Sequence, residues 1–252
     1  MPGSEPKILL YDLETAPLLG YAWGRHEVNI IEVVKEPYIL CVGWKWLGEK
    51  AVHVDTMQGD EDDYNVVAKL HALFTEADVV IAHNGDRYDQ PFTNAMFLRH
   101  GFPPPEPYRS VDTLKVARSK FKLSSNRLNE LGKVLGLGEK AQTGGFKTWL
   151  GCMADDPKAW AKMTRYNRQD VVLLEEVYLA LLPWMTNHPA LNVIADKASA
   201  CPKCLTEGKM QARGWRTTAT GKRRRYQCTA CSGWVSDRLT VGTGNDFIQA
   251  AG

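Results

Sequence analysis

Short apolar runs and stripes at helical spacing alternate along this chain, and together they predict its elements. Ile8-Leu9-Leu10-Tyr11 is a run of strand-forming residues, which predicts a buried central strand. Residues 38–47 and 51–56 are apolar-rich and flank Gly48-Glu49, which predicts an antiparallel hairpin. Val66, Val67, Leu70, Leu73 and Phe74 then recur at helical spacing behind Asp62 and Asp63, residues that suit a helix start. A second short apolar run over 78–83 reads as a buried parallel strand, broken by Asn84-Gly85. Residues 87–100 follow as a helix, with Asp86 as its candidate cap and Gly101 at its end, before Pro103, Pro104 and Pro105 forbid continuation. A weaker strand over 109–112 precedes helices at 113–120 and 127–136, and Gly144-Gly145 marks a loop. Asp156-Pro157 opens the longest helical pattern, which runs to about Leu182 before Pro183. The order βββαβαβ followed by helices describes a mixed sheet flanked by helices.

Charge changes this picture by dividing it. Net charge is only +2 over 252 residues, yet residues 197–240 hold ten Lys or Arg against two Asp or Glu, leaving 1–196 acidic. An acidic body with a basic module suggests a polyanionic partner, since clustered cations are the electrostatic footprint of nucleic-acid binding. No run approaches the roughly 18 apolar residues of a membrane span, and the first residues lack the apolar stretch of a secretory signal. The expectation is an intracellular, cytoplasmic protein with no membrane partner. Four of the six cysteines form two Cys-x-x-Cys pairs inside the basic module, where metal ligation is favoured over disulfides.

Candidate chemistry begins at the first strand. Asp12 and Glu14 are two apart, so a strand places both carboxylates on one face. Like charges on a buried element repel and lose hydration, and a cation between them offsets both costs. The competing reading is a strand running out into solvent. Asn84-Gly-Asp-Arg-Tyr-Asp89 follows the second buried strand, where open α/β sheets place ligands; capping accounts equally for acids in a first helical turn. Tyr166 and Asp170 are four apart on the long helix and share a face with Val171 and Leu174.

Taken jointly, Asp-x-Glu, Asn-Gly-x-x-Tyr-Asp and Tyr-x-x-x-Asp resemble the three motifs of the DnaQ-like 3′-to-5′ exonucleases, the DEDD group, in its tyrosine branch. The resemblance covers about residues 7–185, and the 126–136 helix, Gly144-Gly145 and Trp184 are similar to the phage-type and family-B-polymerase-related members. It implies a ribonuclease H-like five-stranded mixed sheet and two Mg²⁺ or Mn²⁺ ions held by Asp12, Glu14, Asp89 and Asp170. Hard cations suit such oxygen-rich sites. It also implies that Tyr166 orients the attacking water, that Asp89 rather than Asp86 is the ligand, and that Thr15 and Leu18 hold the terminal nucleotide. The 16–36 connection is long; within it Trp23 either stacks a base or packs. Lys140 and Lys147 flank the Gly-Gly loop and are either phosphate contacts or solvated surface. Asp112 reads as a helix cap and His83 as a satisfied core residue.

Cys201-Pro-Lys-Cys204 and Cys228-Thr-Ala-Cys231 carry the spacing of a tetrahedral zinc ribbon. About 40 residues bury little core, so one structural Zn²⁺ would supply most of the module's folding energy. Between the pairs lie Arg213, Arg216, Arg223, Arg224 and Arg225 with Trp215 and Tyr226, and Trp234 follows. Such a mixture suits single-stranded nucleic acid, or alternatively a docking surface for a replication or repair protein. The expected organisation is a nuclease domain over 1–185, a linker over 186–200, the ribbon over 201–240 and a tail over 241–252. The expected activity is exonuclease action on single-stranded DNA; RNA trimming and a non-catalytic adaptor remain the alternatives, and a phage source acting in a bacterial host is compatible.

Overall fold

The structure is a computed structural model, and it describes residues 5–24, 26, 29–59, 62–138, 144–218 and 221–237. Lys140 and the 241–252 tail lie outside the described residues. Two compact units divide the chain: Lys7–Tyr178, and a second from Leu179 onward that also takes in Glu5 and Pro6.

The first unit is organised by β1 (Ile8–Thr15), the central strand that the apolar run predicts. A two-stranded hairpin, β2 (Leu19–Tyr21) and β3 (Glu32–Lys35), occupies the long connection; its alternation is too short to register in the sequence. β4 (Ile39–Trp46) and β5 (His53–Thr56) form the expected antiparallel pair, and α1 (Tyr64–Glu76) follows. Next come β6 (Val79–Ala82), α2 (Asp89–Arg99), β7 (Arg109–Asp112), α3 (Thr113–Lys120) and α4 (Leu128–Leu135). α5 (Phe146–Met153), which lies outside every element that the sequence predicts, precedes α6 (Pro157–Leu181). The five-stranded sheet has the order β5-β4-β1-β6-β7, with β4 and β5 antiparallel and β6 and β7 parallel to the centre. This is a ribonuclease H-like mixed sheet flanked by helices.

Period-two alternation divides β1 between two layers. Leu9, Tyr11 and Leu13 face a core built with Val66, Val67, Leu70 and Phe74 of α1 and Phe97 of α2, where the Tyr11 and Phe74 rings meet edge to face at 5.1 Å. Burying side chains of this size contributes about 1.5–3 kcal/mol each. Asp12 and Glu14 take the opposite face.

Two acidic residues expected at helix starts act elsewhere. Asp86 makes no cap: α2 starts at Asp89 without a side-chain cap bond, and Asp86 instead accepts hydrogen bonds from Ser110, Gln90 and the Lys115 ammonium at 2.6 Å. Asp63 turns inward, accepting from the Ile39 amide at 2.9 Å and pairing with His100 at 2.6 Å, while Asp62 accepts from the Tyr64 amide.

The second unit opens with the end of α6 and the turn Leu182–Trp184. Residues 186–200 carry α7 (Leu191–Ile194) and bury Leu191, Ala195 and Ala200. A three-stranded antiparallel sheet of β8 (Met210–Thr218), β9 (Gly221–Cys228) and β10 (Trp234–Ser236) completes it. Among the described residues no helix is long and apolar enough to cross a membrane.

Candidate metal and nucleic-acid site

Asp12 pairs with Gly43 and Glu14 with Cys41 across β1 and β4, so all four side-chain positions lie on one sheet face. Helix α6 covers that face. Its Asn167 is fully buried and donates from Nδ2 to the Asp12 carbonyl at 3.1 Å and to Asp12 Oδ2 at 2.9 Å. Gly43 permits this approach: a methyl there would stand 2.5 Å from Asn167 Oδ1 and 2.9 Å from Val171. The same helix carries Asp170, 1% exposed, to the two strand carboxylates, and one oxygen from each of Asp12, Glu14 and Asp170 lies within 4.8 Å of the others. Three converging carboxylate oxygens fit a hard divalent cation, whose charge offsets theirs.

Asp89 stands apart from that trio. Buried as the first residue of α2, its Oδ1 accepts from the Leu13 amide, between the two strand carboxylates, at 3.4 Å. Burial pushes its carboxyl up to about 6, against the pull of the Leu13 and Asp89 backbone amides and with a further rise from Asp112. Tyr166, one helical turn before Asp170, is half-buried with its ring edge-on to Trp149. Burial, then the charges of Asp170, Glu14 and Asp12, raise its phenol well above the ordinary range, and it hydrogen-bonds Asp170. It is therefore neutral at physiological pH.

The remaining candidates are distributed around this centre. Thr15 Oγ1 lies 2.8 Å from the Tyr88 hydroxyl, and Leu18 is exposed. Trp23 is 93% exposed, which excludes the packed alternative. Lys147 is exposed on α5. Asp112 caps α3, accepting from the Leu114 and Lys115 amides and also from Asn84. His83 is held on both ring nitrogens, by the Thr113 hydroxyl at 2.8 Å and the Asn126 carbonyl at 3.0 Å. An open cleft of about 730 Å³ runs from Asp12 past Asn84, with Arg87, Arg118 and Arg127 on its walls. These three arginines come from separate elements and share no sequence motif, and Asn167 lies hidden between the motif residues Tyr166 and Asp170. Gly43 inside a strand is the one readable signal, since such a glycine marks close approach of another element.

In the second unit, the Cys201 and Cys231 sulfurs are 3.8 Å apart and those of Cys204 and Cys228 3.7 Å apart, and all four meet within 4.8 Å. A disulfide requires about 2.05 Å, whereas tetrahedral zinc with Zn–S bonds of about 2.3 Å spaces its sulfurs by about 3.8 Å. The cluster is compatible with a zinc ribbon. Lys203, inside the first knuckle, is buried and donates to the Leu182 and Pro183 carbonyls at 3.3 and 3.0 Å.

A mixed five-stranded sheet with acidic residues converging on its central strand defines a ribonuclease H-like protein. Residues 34–182 match the RNase H superfamily, and the chain belongs to it. Among solved structures, it is similar to the family B DNA polymerase from the hyperthermophilic archaeon Pyrobaculum calidifontis, with a TM-score of 0.46 and 16% identity, covering 75% of this chain and 27% of that chain. The chain thus spans about a quarter of that polymerase's length. No curated protein matches it in sequence.

Proposed function

We propose that this chain is a metal-dependent 3′-to-5′ exonuclease of the DnaQ-like tyrosine branch, which removes nucleotides from the 3′ end of single-stranded DNA. The observation that carries the reading is the convergence of Asp12, Glu14 and Asp170 within 4.8 Å, with Tyr166 one turn away on the same helix. Two Mg²⁺ or Mn²⁺ ions, held by these carboxylates and Asp89, would neutralise the scissile phosphate, activate water and stabilise the leaving oxygen. Asn167 fixes the Asp12 carboxylate by its hydrogen bond, so the ligand enters the reaction already oriented. Tyr166 keeps its proton at neutral pH and therefore orients the attacking water by hydrogen bonding rather than accepting its proton. Arg87, Arg118 and Arg127 supply the phosphate contacts of the cleft, while Thr15 and Leu18 border the terminal nucleotide. The nuclease domain spans 1–185, and a structural Zn²⁺ closes the 201–240 ribbon, which aids nucleic-acid binding.

The test is degradation of matched DNA and RNA oligonucleotides carrying a 5′ label, with Mg²⁺ or Mn²⁺. A ladder of 5′-labelled products shortening from the 3′ end on DNA is the expected result. Faster loss of RNA would make the chain an exoribonuclease, and no metal-dependent release from either would leave a non-catalytic adaptor.

A further inference from the structure

Resting on the nucleic-acid reading above, we infer that the β8–β9 arm is a groove-binding element for B-form DNA duplex rather than a platform for a single strand. The register determines which side chains share a face. Trp215 lies opposite Arg224 and Thr217 opposite Lys222, so one face of the arm carries Lys222, Arg224 and Trp215. Arg216 lies opposite Arg223, and Trp234 of β10 opposite Gln227, so the other face carries Arg216, Arg223, Arg225 and Trp234. The ring contacts agree with this division: the Arg224 guanidinium lies 6.0 Å from the Trp215 ring, and that of Arg225 5.3 Å from Trp234. Between residues 208 and 236 the sequence has seven Lys or Arg and no acidic residue. Residues 211–217 of β8 are all exposed.

Two further features suit the arm for insertion. A bulge between Ala212 and Trp215, with Gly214 at a φ of 83°, marks where the arm leaves the part of the sheet beside the cysteines. The Arg225 guanidinium clamps that bulge by donating to the Arg213 carbonyl at 3.2 Å. Beyond it, Trp215–Thr218 spans about 10 Å at roughly 3.4 Å per residue. The B-DNA major groove is about 12 Å wide and 8.5 Å deep and admits a two-stranded ribbon. There, cations on both faces meet phosphates on both walls. A single strand tracks one basic and aromatic face and leaves the other unused. The deep, narrow major groove of an RNA duplex does not admit the arm.

The experiment uses the full chain with its ribbon metal and no added Mg²⁺ or Mn²⁺. Fluorescence anisotropy compares a DNA duplex, a DNA single strand and an RNA duplex of matched length over a salt series. The DNA duplex should bind at least about tenfold tighter than either, with a slope near −0.9 in log K against log salt for each phosphate contact. Lys222→Gln with Arg224→Gln, and separately Arg216→Gln with Arg223→Gln, should each weaken duplex binding and flatten the slope by nearly two contacts. Equal or tighter binding of the single strand, equal binding of the RNA duplex, dependence on one face alone, or no binding, as for a protein-docking module, would each overturn the inference. The wild-type comparison decides the matter even where a variant loses its metal. Duplex preference without cleavage would sink the exonuclease reading alone; cleavage without duplex preference would sink this one alone.

Discussion

The two units use acidic and basic side chains in opposite ways. In the body, carboxylates are held against one another by packing: Tyr11 and Val80 are buried in the core on the opposite sheet face, and Asn167 braces Asp12 from above. The apolar core supports the fold, so the repulsion of an empty site is tolerated and the site is built before any cation enters. In the ribbon, β8 buries almost nothing along its length, and the buried side chains among the described residues are Cys201, Lys203 and Cys228. Here four cysteine sulfurs converge in a cluster compatible with an ion as part of the fold, and the basic side chains lie on the strands beside it. The acidic cluster stands on a packed core, whereas the basic surface stands on a hairpin beside the cysteine cluster.

Four outcomes test that contrast. The largest is loss of cleavage: Asp12→Ala or Asp170→Ala should cost at least about 10³-fold, the several kcal/mol that a catalytic metal supplies. The metal-free melting temperature should hold or rise, because carboxylate repulsion is relieved. Activity near wild type on a labelled single strand would break the assignment. Next, Cys201→Ser with Cys204→Ser should unfold the ribbon while sparing the body, since structural zinc is worth about 10–16 kcal/mol in comparable peptides. Hydrogen exchange should show lost protection at residues 201–237 and unchanged protection in β1, β4 and β6; a collapse of both would mean that the body also depends on the metal.

Tyr166→Phe removes a hydroxyl but keeps the packed ring and the carboxylates. A fall of about 10- to 100-fold in turnover is expected, at or below the roughly 100-fold minimum of a proton-transferring group, because this hydroxyl only orients water. Inactivity as deep as that of Asp12→Ala would show that the hydroxyl does more than orient water. The smallest effect concerns Asp89, whose folded pKa of about 6 exceeds its unfolded value of 3.8. The fold binds the proton more tightly, so the associated stability is fully present below about pH 4 and lost as pH rises through about 6. Asp89→Asn mimics the protonated form. In metal-free thermal melts the variant should therefore lack that decline and exceed wild type at neutral pH. A variant less stable than wild type there would show that the ionised carboxylate is the favoured form.

Much of the body was legible because its signals are local. The apolar run Ile8-Leu9-Leu10-Tyr11 is buried on both faces and can only be a central strand, α3 spans the predicted 113–120, and Asp156 starts α6 by accepting from the Lys158 amide. The spacing of two between Asp12 and Glu14, and of four between Tyr166 and Asp170, determined which side chains share a face before any packing was known. Tertiary structure alone decided how those faces meet. Asp86 suited a cap by composition, yet Ser110 and Lys115 approach from β7 and α3 and draw its carboxylate away from the helix end. Asn167 is one polar residue among several on α6, and only the absence of a side chain at Gly43 brings it to Asp12. Nor does the spacing of Trp215, Arg216, Lys222 and Arg224 say which face each takes, because the bulge at Gly214 shifts the register by which they pair. Periodicity is written along the chain, while contact between elements depends on the space each leaves for the other.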